Sequence, residues 1–185
     1  MLESLRSMDR EILFWLNGLG SPGFDTFWVT FTQIYTWIPL YLLLFFLLFR
    51  RRPWRIALSL TLTMVLSLLT TLLLTNWVKN SVRRLRPNND PEVQELIRIL
   101  QEPVDFSFFS GHAAFSFCLT TLAVLVLRKD YRWIYTLYLW PVLLAYSRIY
   151  VGVHFPGDVL VGALAGSALA VLAYFLVARR LQTRA

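Results

Sequence analysis

The chain has 185 residues, enough for one domain, of which 57% are hydrophobic and only 16% are charged. Soluble domains average about 45–50% apolar and about 25% charged residues, so this composition excludes a disordered or collagen-like chain and argues against a soluble globule. The net charge of +7 is typical either of nucleic-acid-binding proteins or of membrane proteins with basic cytoplasmic links.

The first segment, Leu2–Leu19, is predicted to be an amphipathic helix that lies in the membrane interface. Its apolar residues recur at helical spacing with charged residues between them: Leu5, Met8, Ile12, Trp15 and Leu16. This pattern is typical of helices that bury one face among lipid headgroups. Asn17-Gly18 and the Ser-Pro-Gly sequence that follows end the helix. A helix that binds a partner protein is the alternative.

Five apolar runs follow, and we expect each to form a transmembrane helix. The runs cover residues 24–49, 54–78, 111–127, 133–146 and 159–178. A spanning helix needs roughly 20 apolar residues, within a range of about 17–25. The third run is at the short limit, the fourth spans only with its polar ends included, and Pro39 is a candidate kink in the first. The alternative is a soluble bundle of buried helices.

These elements predict an all-α fold with about five transmembrane helices plus the N-terminal interfacial helix. We expect one integral membrane domain of residues 1–185. Within it, residues 1–20 form the interfacial helix, and residues 79–110 form a loop region that carries part of a functional site.

The basic residues predict the orientation of the helices. Ten of the 18 basic residues lie after the first, third and fifth runs. They are Arg50, Arg51, Arg52, Arg55, Arg128, Lys129, Arg132, Arg179, Arg180 and Arg184. By the positive-inside rule these segments are cytoplasmic, which places the N-terminus, residues 79–110 and residues 147–158 on the outer side. Topology thus accounts for most of the positive charge, and no nucleic-acid partner is predicted.

Three polar clusters lie on the predicted outer side. The first is residues 79–87, where Lys79, Arg83, Arg84 and Arg86 are basic despite this position. If the helix continues through them, Lys79, Arg83 and Arg86 share one face. Such a cluster is typical of binding to a phosphate or an anionic headgroup. Attraction to an anionic lipid surface is the alternative.

The second cluster is Ser110-Gly111-His112, at the start of the third apolar run. Ser110 is placed to cap the helix, and Gly111 leaves room for an anion to approach the backbone N–H groups at the positive end of the helix dipole. A capping serine beside an interfacial histidine is the alternative.

The third cluster, residues 147–158, links the last two runs. Asp158 lies in the first turn of the final helix, four residues after His154. A hydrogen bond between them would fix the imidazole tautomer and make the other ring nitrogen more basic. Arg148 offers a fork for an anion, and a structural ion pair between Arg148 and Asp158 is the alternative.

Together the clusters predict a phosphoryl-transfer site. One histidine can attack phosphorus, the other can protonate the leaving oxygen, and the cations can stabilise the charge on the remaining oxygens. A metal site is less favoured, because the neighbouring cations would repel the ion.

The clusters resemble the three motifs of the membrane type 2 phosphatidic acid phosphatase family. Those motifs are Lys-x6-Arg-Pro, Pro-Ser-Gly-His and Ser-Arg-x5-His-x3-Asp. Here they read Lys79 to Arg86-Pro87, then Ser110-Gly111-His112, then Ser147-Arg148 to His154 and Asp158. Phe109 replaces the proline of the second motif. The resemblance covers residues from about 54 to 178.

The resemblance implies a role for each motif residue. His154 would be the nucleophile that forms a phosphohistidine, Asp158 would orient it, and His112 would protonate the leaving group and later activate water. The implied phosphate-binding residues are Lys79, Arg86, Ser110, Gly111 and Arg148. The resemblance implies no metal ion and no other cofactor. Arg83 and Arg84 lie outside the strict motif, and our hypothesis is that they contact a second phosphate or a charged headgroup.

The substrates of this family are lipid phosphates. The predicted outward-facing site favours undecaprenyl diphosphate, and we expect the inner (cytoplasmic) membrane of a bacterium, with the site facing the periplasm. The alternatives are a lipid A or phosphatidylglycerol phosphate phosphatase, a lipid phosphotransferase, and a non-enzymatic protein that binds or transports anionic lipids. The soluble vanadate-dependent haloperoxidases share this constellation, but the membrane spans argue against them. No obligatory protein partner is predicted.

Overall fold

The computed structural model describes residues 2–182, and these residues form helices and loops without a β-strand. The helices are α1 (Leu2–Gly18), α2 (Pro22–Phe31), α3 (Ile38–Arg50), α4 (Trp54–Val82), α5 (Gly111–Leu127), α6 (Leu139–Tyr150), α7 (Pro156–Ala173) and α8 (Arg179–Gln182). Short 3-10 segments cover Ile34–Trp37, Pro87–Asn89, Gln94–Leu96 and Arg132–Tyr138, and a π-helical turn covers Tyr174–Ala178. The prediction of an all-α fold is confirmed. Arg184, one of the basic residues predicted to be cytoplasmic, lies outside the described residues.

The predicted count of about five spans is not confirmed. Within residues 2–182, two stretches are long and apolar enough to cross a membrane, Trp54–Asn89 and Pro156–Leu181. A third is present only if α2 and α3, which are bent by 69°, count as one span. Helix α5 is apolar but has 17 residues, and the start of the fourth run forms a 3-10 helix, so that α6 has only 12 residues.

The predicted kink at Pro39 is wrong, because the bend in the first run lies earlier. Helix α2 ends at Phe31, and the chain turns before the 3-10 segment that leads into α3. Pro39 is in the first turn of α3. A proline is tolerated there because its missing N–H has no partner within the helix at that position.

Close contact between α5 and α7 positions the site. Helix α5 is the central helix of the fold, since 12 of its 17 residues are buried. A Cβ added at Gly166 would lie 2.0 Å from the Ala114 carbonyl oxygen, and one at Gly162 would lie 2.5 Å from the Ser110 carbonyl oxygen. Glycine at these two positions therefore allows the backbones to touch. The N-termini of the two helices meet as a result, and the Ser110 N–H donates to the Asp158 carbonyl at 3.0 Å.

The N-terminal segment forms the predicted helix, α1. Its residues Leu5, Met8, Ile12 and Trp15 are exposed, Trp15 to 66%, whereas Leu13 on the opposite side is fully buried. An exposed apolar face is what lipid contact requires, and the interfacial location itself stays a prediction. The buried face also carries a polar residue, Asn17, which the sequence indicated only as part of a turn.

The Asn17 side chain joins α1 to the rest of the fold. Its Nδ2 donates to the carbonyls of Arg98, Ile149 and Tyr150 at 3.0, 3.1 and 3.0 Å, and its Oδ1 accepts from the Arg98 N–H at 2.8 Å. One buried amide thus connects α1, the loop before α5 and the end of α6.

Replacing Asn17 by alanine is expected to destabilise the protein by about 2–3 kcal/mol, because buried backbone groups lose their partner. In a chain of this size that corresponds to a fall of about 5–10 °C in the melting temperature, measured in detergent by light scattering or fluorescence. Ser7→Ala is the control, since Ser7 on the same helix makes only an exposed contact with Glu11. An unchanged melting temperature for Asn17→Ala would contradict this account of the anchor.

Candidate active site

The end of α4 differs from the prediction of one continuous basic face. The helix stops at Val82, and Arg83 adopts a left-handed conformation with a φ of 52° that turns the chain. Arg83 is therefore exposed, and its Nε donates to the Asn80 carbonyl at 3.1 Å. Lys79, in the last turn of α4, is buried, and so is Arg86, which is extended before Pro87. The prediction that Lys79, Arg83 and Arg86 share a helix face is wrong, because only Lys79 is in the helix.

Lys79 and Arg86 nevertheless meet, on a carboxylate that the sequence did not single out. Lys79 Nζ lies 2.5 Å from Asp105 Oδ2, and Arg86 Nη2 lies 2.8 Å from Asp105 Oδ1. Arg86 Nε also donates to the Asp105 backbone carbonyl at 2.9 Å. Burial alone would raise the pKa of Asp105, but the hydrogen bonds from Lys79 and Arg86 outweigh it and lower the pKa to about 2. The two cations thus hold an ionised carboxylate between them.

His154 sits next to this pair of cations, fully buried in the loop between α6 and α7. Its Nε2 lies 3.0 Å from Arg86 Nη1. A guanidinium can only donate, so Nε2 is the unprotonated ring nitrogen that accepts from Arg86, and Nδ1 carries the proton. Burial, reinforced by the charges of Arg86, Arg148 and Lys79, lowers the pKa of His154 well below its usual range. The imidazole is therefore neutral at physiological pH, as a nucleophile must be.

The Nδ1 side of His154 faces Asp158 and Ser107. Asp158 Oδ2 lies 3.5 Å from Nδ1, and Ser107 Oγ lies 3.4 Å from Nδ1. Ser107 Oγ also donates to Asp158 Oδ2, and the Phe155 N–H donates to the same oxygen at 3.0 Å. The structure brings His154 and Asp158 together and adds a serine that the sequence reasoning missed. The one signal for it was a second hydroxyl three residues before the predicted cap.

The start of α5 has the predicted cap. Ser110 Oγ accepts from the Ala113 N–H at 3.4 Å. Gly111 and His112 line a cavity together with Lys79. The two histidines of the chain are thus in one site, with His154 on its buried side and His112 at the cavity.

Arg148 is buried in α6, and its partners are neutral. Its Nη1 donates to Thr32 Oγ1 at 2.5 Å and to Gln101 Oε1 at 3.1 Å, while its Nε has no hydrogen-bond partner among the described residues. The alternative ion pair with Asp158 is not formed. Asp158 Oδ1 accepts instead from Arg84 Nη1 at 2.8 Å. Arg148 therefore keeps its charge free for an anion.

Two apolar cavities lead away from the site. The first, about 210 Å³, lies beside Lys79 and His112, and the second, about 250 Å³, shares Tyr41 and Phe115 with it. Both are bounded by α3, α4 and α5, and along α4 they reach from Lys79 to Thr61. At about 1.5 Å per residue that distance is about 27 Å, close to the thickness of the hydrocarbon core of a bilayer. In residues 2–182 no three His, Cys, Asp or Glu side chains are grouped as metal ligands.

Residues 57–182 match the PAP2 superfamily. The chain belongs to this superfamily. It is 33% identical over 189 aligned positions to the lipid A 4'-phosphatase of Bacteroides thetaiotaomicron, covering 100% of this chain and 83% of that protein. It is 39% identical over 95 positions to an undecaprenyl-diphosphatase of Sulfolobus acidocaldarius, covering 51% and 44%.

Two solved structures share the fold of this PAP2 protein. A transmembrane phosphatidylglycerolphosphate phosphatase of Bacillus subtilis has a TM-score of 0.75 at 25% identity, over 94% of this chain and 86% of that one. LpxE of Aquifex aeolicus has a TM-score of 0.63 at 30% identity, over 88% and 92%. The resemblance predicted from the three motifs is confirmed, and the protein is a membrane-embedded lipid phosphate hydrolase.

The Asp105 carboxylate occupies Lys79 and Arg86, the cations predicted to bind phosphate, so its removal should strengthen phosphate binding. We expect Asp105→Asn to lower the inhibition constant of inorganic phosphate about five- to tenfold, equivalent to about 1 kcal/mol of removed repulsion. With a pKa of about 2, Asp105 is ionised throughout the assay range, so the charge of Asp105 itself does not change above about pH 5.

The inhibition constant is measured by adding unlabelled inorganic phosphate and following the release of labelled phosphate from the lipid substrate. Glu102→Gln is the matched control, because it removes an exposed acid three residues away. Weaker inhibition by phosphate in Asp105→Asn would show that the carboxylate holds Lys79 and Arg86 in place and does not compete with the substrate.

Proposed function

We propose that this PAP2 phosphatase hydrolyses a lipid phosphate or diphosphate through a phosphohistidine on His154, without a metal ion. The observation that carries the proposal is the buried, neutral imidazole of His154, whose unprotonated Nε2 accepts from Arg86 and whose Nδ1 faces Asp158. This arrangement leaves one nitrogen to attack and gives the other a carboxylate that stabilises the developing imidazolium.

In the first step, Arg86 donates to the phosphate instead of to Nε2 of His154. Nε2 then attacks phosphorus, and the bond from phosphorus to the leaving oxygen breaks. The negative charge of the bound phosphate favours the protonated form of His112, which gives its proton to that oxygen. Lys79, Arg86 and Arg148 stabilise the charge on the non-bridging oxygens, and the capping Ser110 and the Gly111 N–H complete the binding site. Asp105 leaves Lys79 and Arg86 when the phosphate enters.

In the second step, water attacks the phosphohistidine. His112, now neutral, takes the proton of the water, and the bond between phosphorus and Nε2 breaks. Inorganic phosphate leaves, His154 is again neutral, and His112 is again protonated. The protons balance over the two steps, and no atom changes its oxidation state.

The apolar cavities support a phosphate carried on a long hydrocarbon chain. They lie end to end between α3, α4 and α5 and share Tyr41 and Phe115. Two cavities arranged in this way accommodate one hydrocarbon chain beside the cations, which favours undecaprenyl diphosphate. Lipid A 4'-phosphate is the second candidate, because the relative that aligns with the entire chain bears that name.

The basic links support an outward-facing site in a bacterial inner membrane. Arg52 Nη2 lies 2.6 Å from Asp130 Oδ2 and donates to the Val126 carbonyl at 2.8 Å. The links after α3 and α5 therefore meet at one end of the molecule, whereas Lys79 and the histidines lie at the other end of α4 and α5. If the positive-inside rule applies to these links, the site faces the periplasm.

The test is phosphate release by the purified protein in detergent with excess EDTA, from undecaprenyl diphosphate, lipid A and phosphatidylglycerol phosphate. We expect release by the wild type and by Glu102→Gln, and a loss of about 10³-fold or more for His154→Ala, which lacks the nucleophile. A higher kcat/KM for lipid A than for undecaprenyl diphosphate would support the second candidate.

Two results would contradict the proposal. Loss of activity in EDTA that returns with added metal would show a metal-dependent reaction. Transfer of the phosphate to an added lipid alcohol, with no release to water, would show a phosphotransferase.

A further inference from the structure

Arg84 contacts two carboxylates of the protein, whereas our hypothesis from the sequence was that it contacts a second phosphate or a charged headgroup. Its Nη1 lies 2.8 Å from Asp158 Oδ1, and its Nη2 lies 2.7 Å from Asp9 Oδ2. Its guanidinium also lies over the ring of Phe155, 3.9 Å from the centroid. The side chain is three-quarters buried, with 26% of its surface exposed. Two carboxylates and an aromatic face thus fix Arg84 beside the buried Asp158.

The two oxygens of Asp158 have separate partners. Oδ1 accepts from Arg84, whereas Oδ2 faces Nδ1 of His154 and accepts from Ser107 and the Phe155 N–H. A carboxylate rotates about one bond, so fixing Oδ1 also fixes the direction of Oδ2. The contact with Arg84 therefore orients the oxygen that faces the nucleophile.

Asp9 holds both Arg84 and the turn that carries Asp158. Its Oδ2 accepts from Arg84, and its Oδ1 accepts from the Gly157 N–H at 2.6 Å, in the first turn of α7. A Cβ at Gly157 would lie 3.0 Å from Asp9 Oδ2, so glycine at this position allows the close approach. Asp9 lies in α1, outside the residues that match the superfamily.

We propose that Arg84 is a positioning residue for Asp158 and that Asp9 holds Arg84 in place, so that the N-terminal helix α1 is a working part of the active site. The inference depends on the proposed function, since it assigns Asp158 the role of orienting the His154 nucleophile. It replaces the hypothesis that Arg84 contacts a headgroup.

The experiment compares Arg84→Gln, Asp9→Asn and the double variant in steady-state kinetics on a lipid monophosphate and a lipid diphosphate. For Arg84→Gln we expect kcat to fall about 100-fold with KM nearly unchanged, because the loss concerns the orientation of the nucleophile and not substrate binding. For Asp9→Asn we expect a smaller loss in kcat, of about tenfold, because Arg84 loses one carboxylate partner but keeps its contact with Asp158. For each variant, the loss in kcat should be the same on the lipid monophosphate as on the lipid diphosphate.

The double variant tests whether the two residues act in series. Because Asp9 is proposed to act through Arg84, the double variant should be no slower than Arg84→Gln alone, a strong departure from additivity. Arg84→Lys should keep part of the activity but become insensitive to Asp9→Asn, because an ammonium cannot bridge two carboxylates as the guanidinium fork does. Glu11→Gln, which removes an exposed acid of the same helix, should leave kcat unchanged.

Three results would overturn the proposal. A higher KM with unchanged kcat, larger on the diphosphate, would return Arg84 to headgroup binding. Multiplicative losses in the double variant would show that Asp9 does not act through Arg84. A lowered melting temperature with full kcat per folded molecule would make both contacts merely structural. Absence of turnover by the wild type on every lipid would contradict the proposed function itself, and with it any catalytic role for Arg84.

Discussion

The site depends on one buried carboxylate. The side chain of Asp158 is fully buried, and an ionised carboxylate away from water is costly unless cations and hydrogen bonds surround it. Arg84, Ser107 and the Phe155 N–H provide this environment. Arg84 follows α4, Ser107 lies in the loop before α5, and Phe155 directly precedes α7. Keeping Asp158 ionised beside His154 therefore requires the loop before α5 and the start of α7 to pack together.

The helix contacts serve the same requirement. Glycines in α7 let its backbone touch α5, and this contact puts the capping Ser110 against the backbone of Asp158. The backbone proposed to bind phosphate and the residue proposed to orient the nucleophile are thus joined by a hydrogen bond. A larger side chain at Gly162 or Gly166 would separate the two N-termini and open the site. The long apolar helices hold the site in position, and the residues of the candidate site lie in the loops and at the helix ends.

The sequence analysis identified the residues of the candidate site more completely than the contacts between them. His154 and Asp158 are four residues apart, and Ser110 precedes an apolar helix, so spacing was enough to bring out both. The contacts of Asp105, Ser107, Arg84 and Asp9 link residues 19 or more positions apart, and up to 148 for Asp9 and Gly157. Such pairs arise from packing, which periodicity along the chain does not encode.

Local conformation explains the remaining differences. The left-handed Arg83 ends α4 one turn before the predicted basic face is complete, and non-glycine residues adopt this conformation too rarely for a sequence pattern to indicate it. The bend in the first apolar run falls between α2 and α3, where no proline is present, whereas Pro39 fits within a first turn. Exposure of the apolar face of α1 agreed with its amphipathic pattern, because that pattern depends only on local spacing.

The central claim is that His154 carries the phosphoryl group, and the most direct measurement is to isolate that intermediate. Wild-type protein would be mixed with a radiolabelled lipid phosphate, quenched within one turnover and digested for mass spectrometry under conditions that preserve phosphohistidine. The account predicts one phosphoryl group on His154, formed and lost at rates that match turnover, and none in His154→Ala. Turnover without label on His154, or a label on another residue, would contradict it.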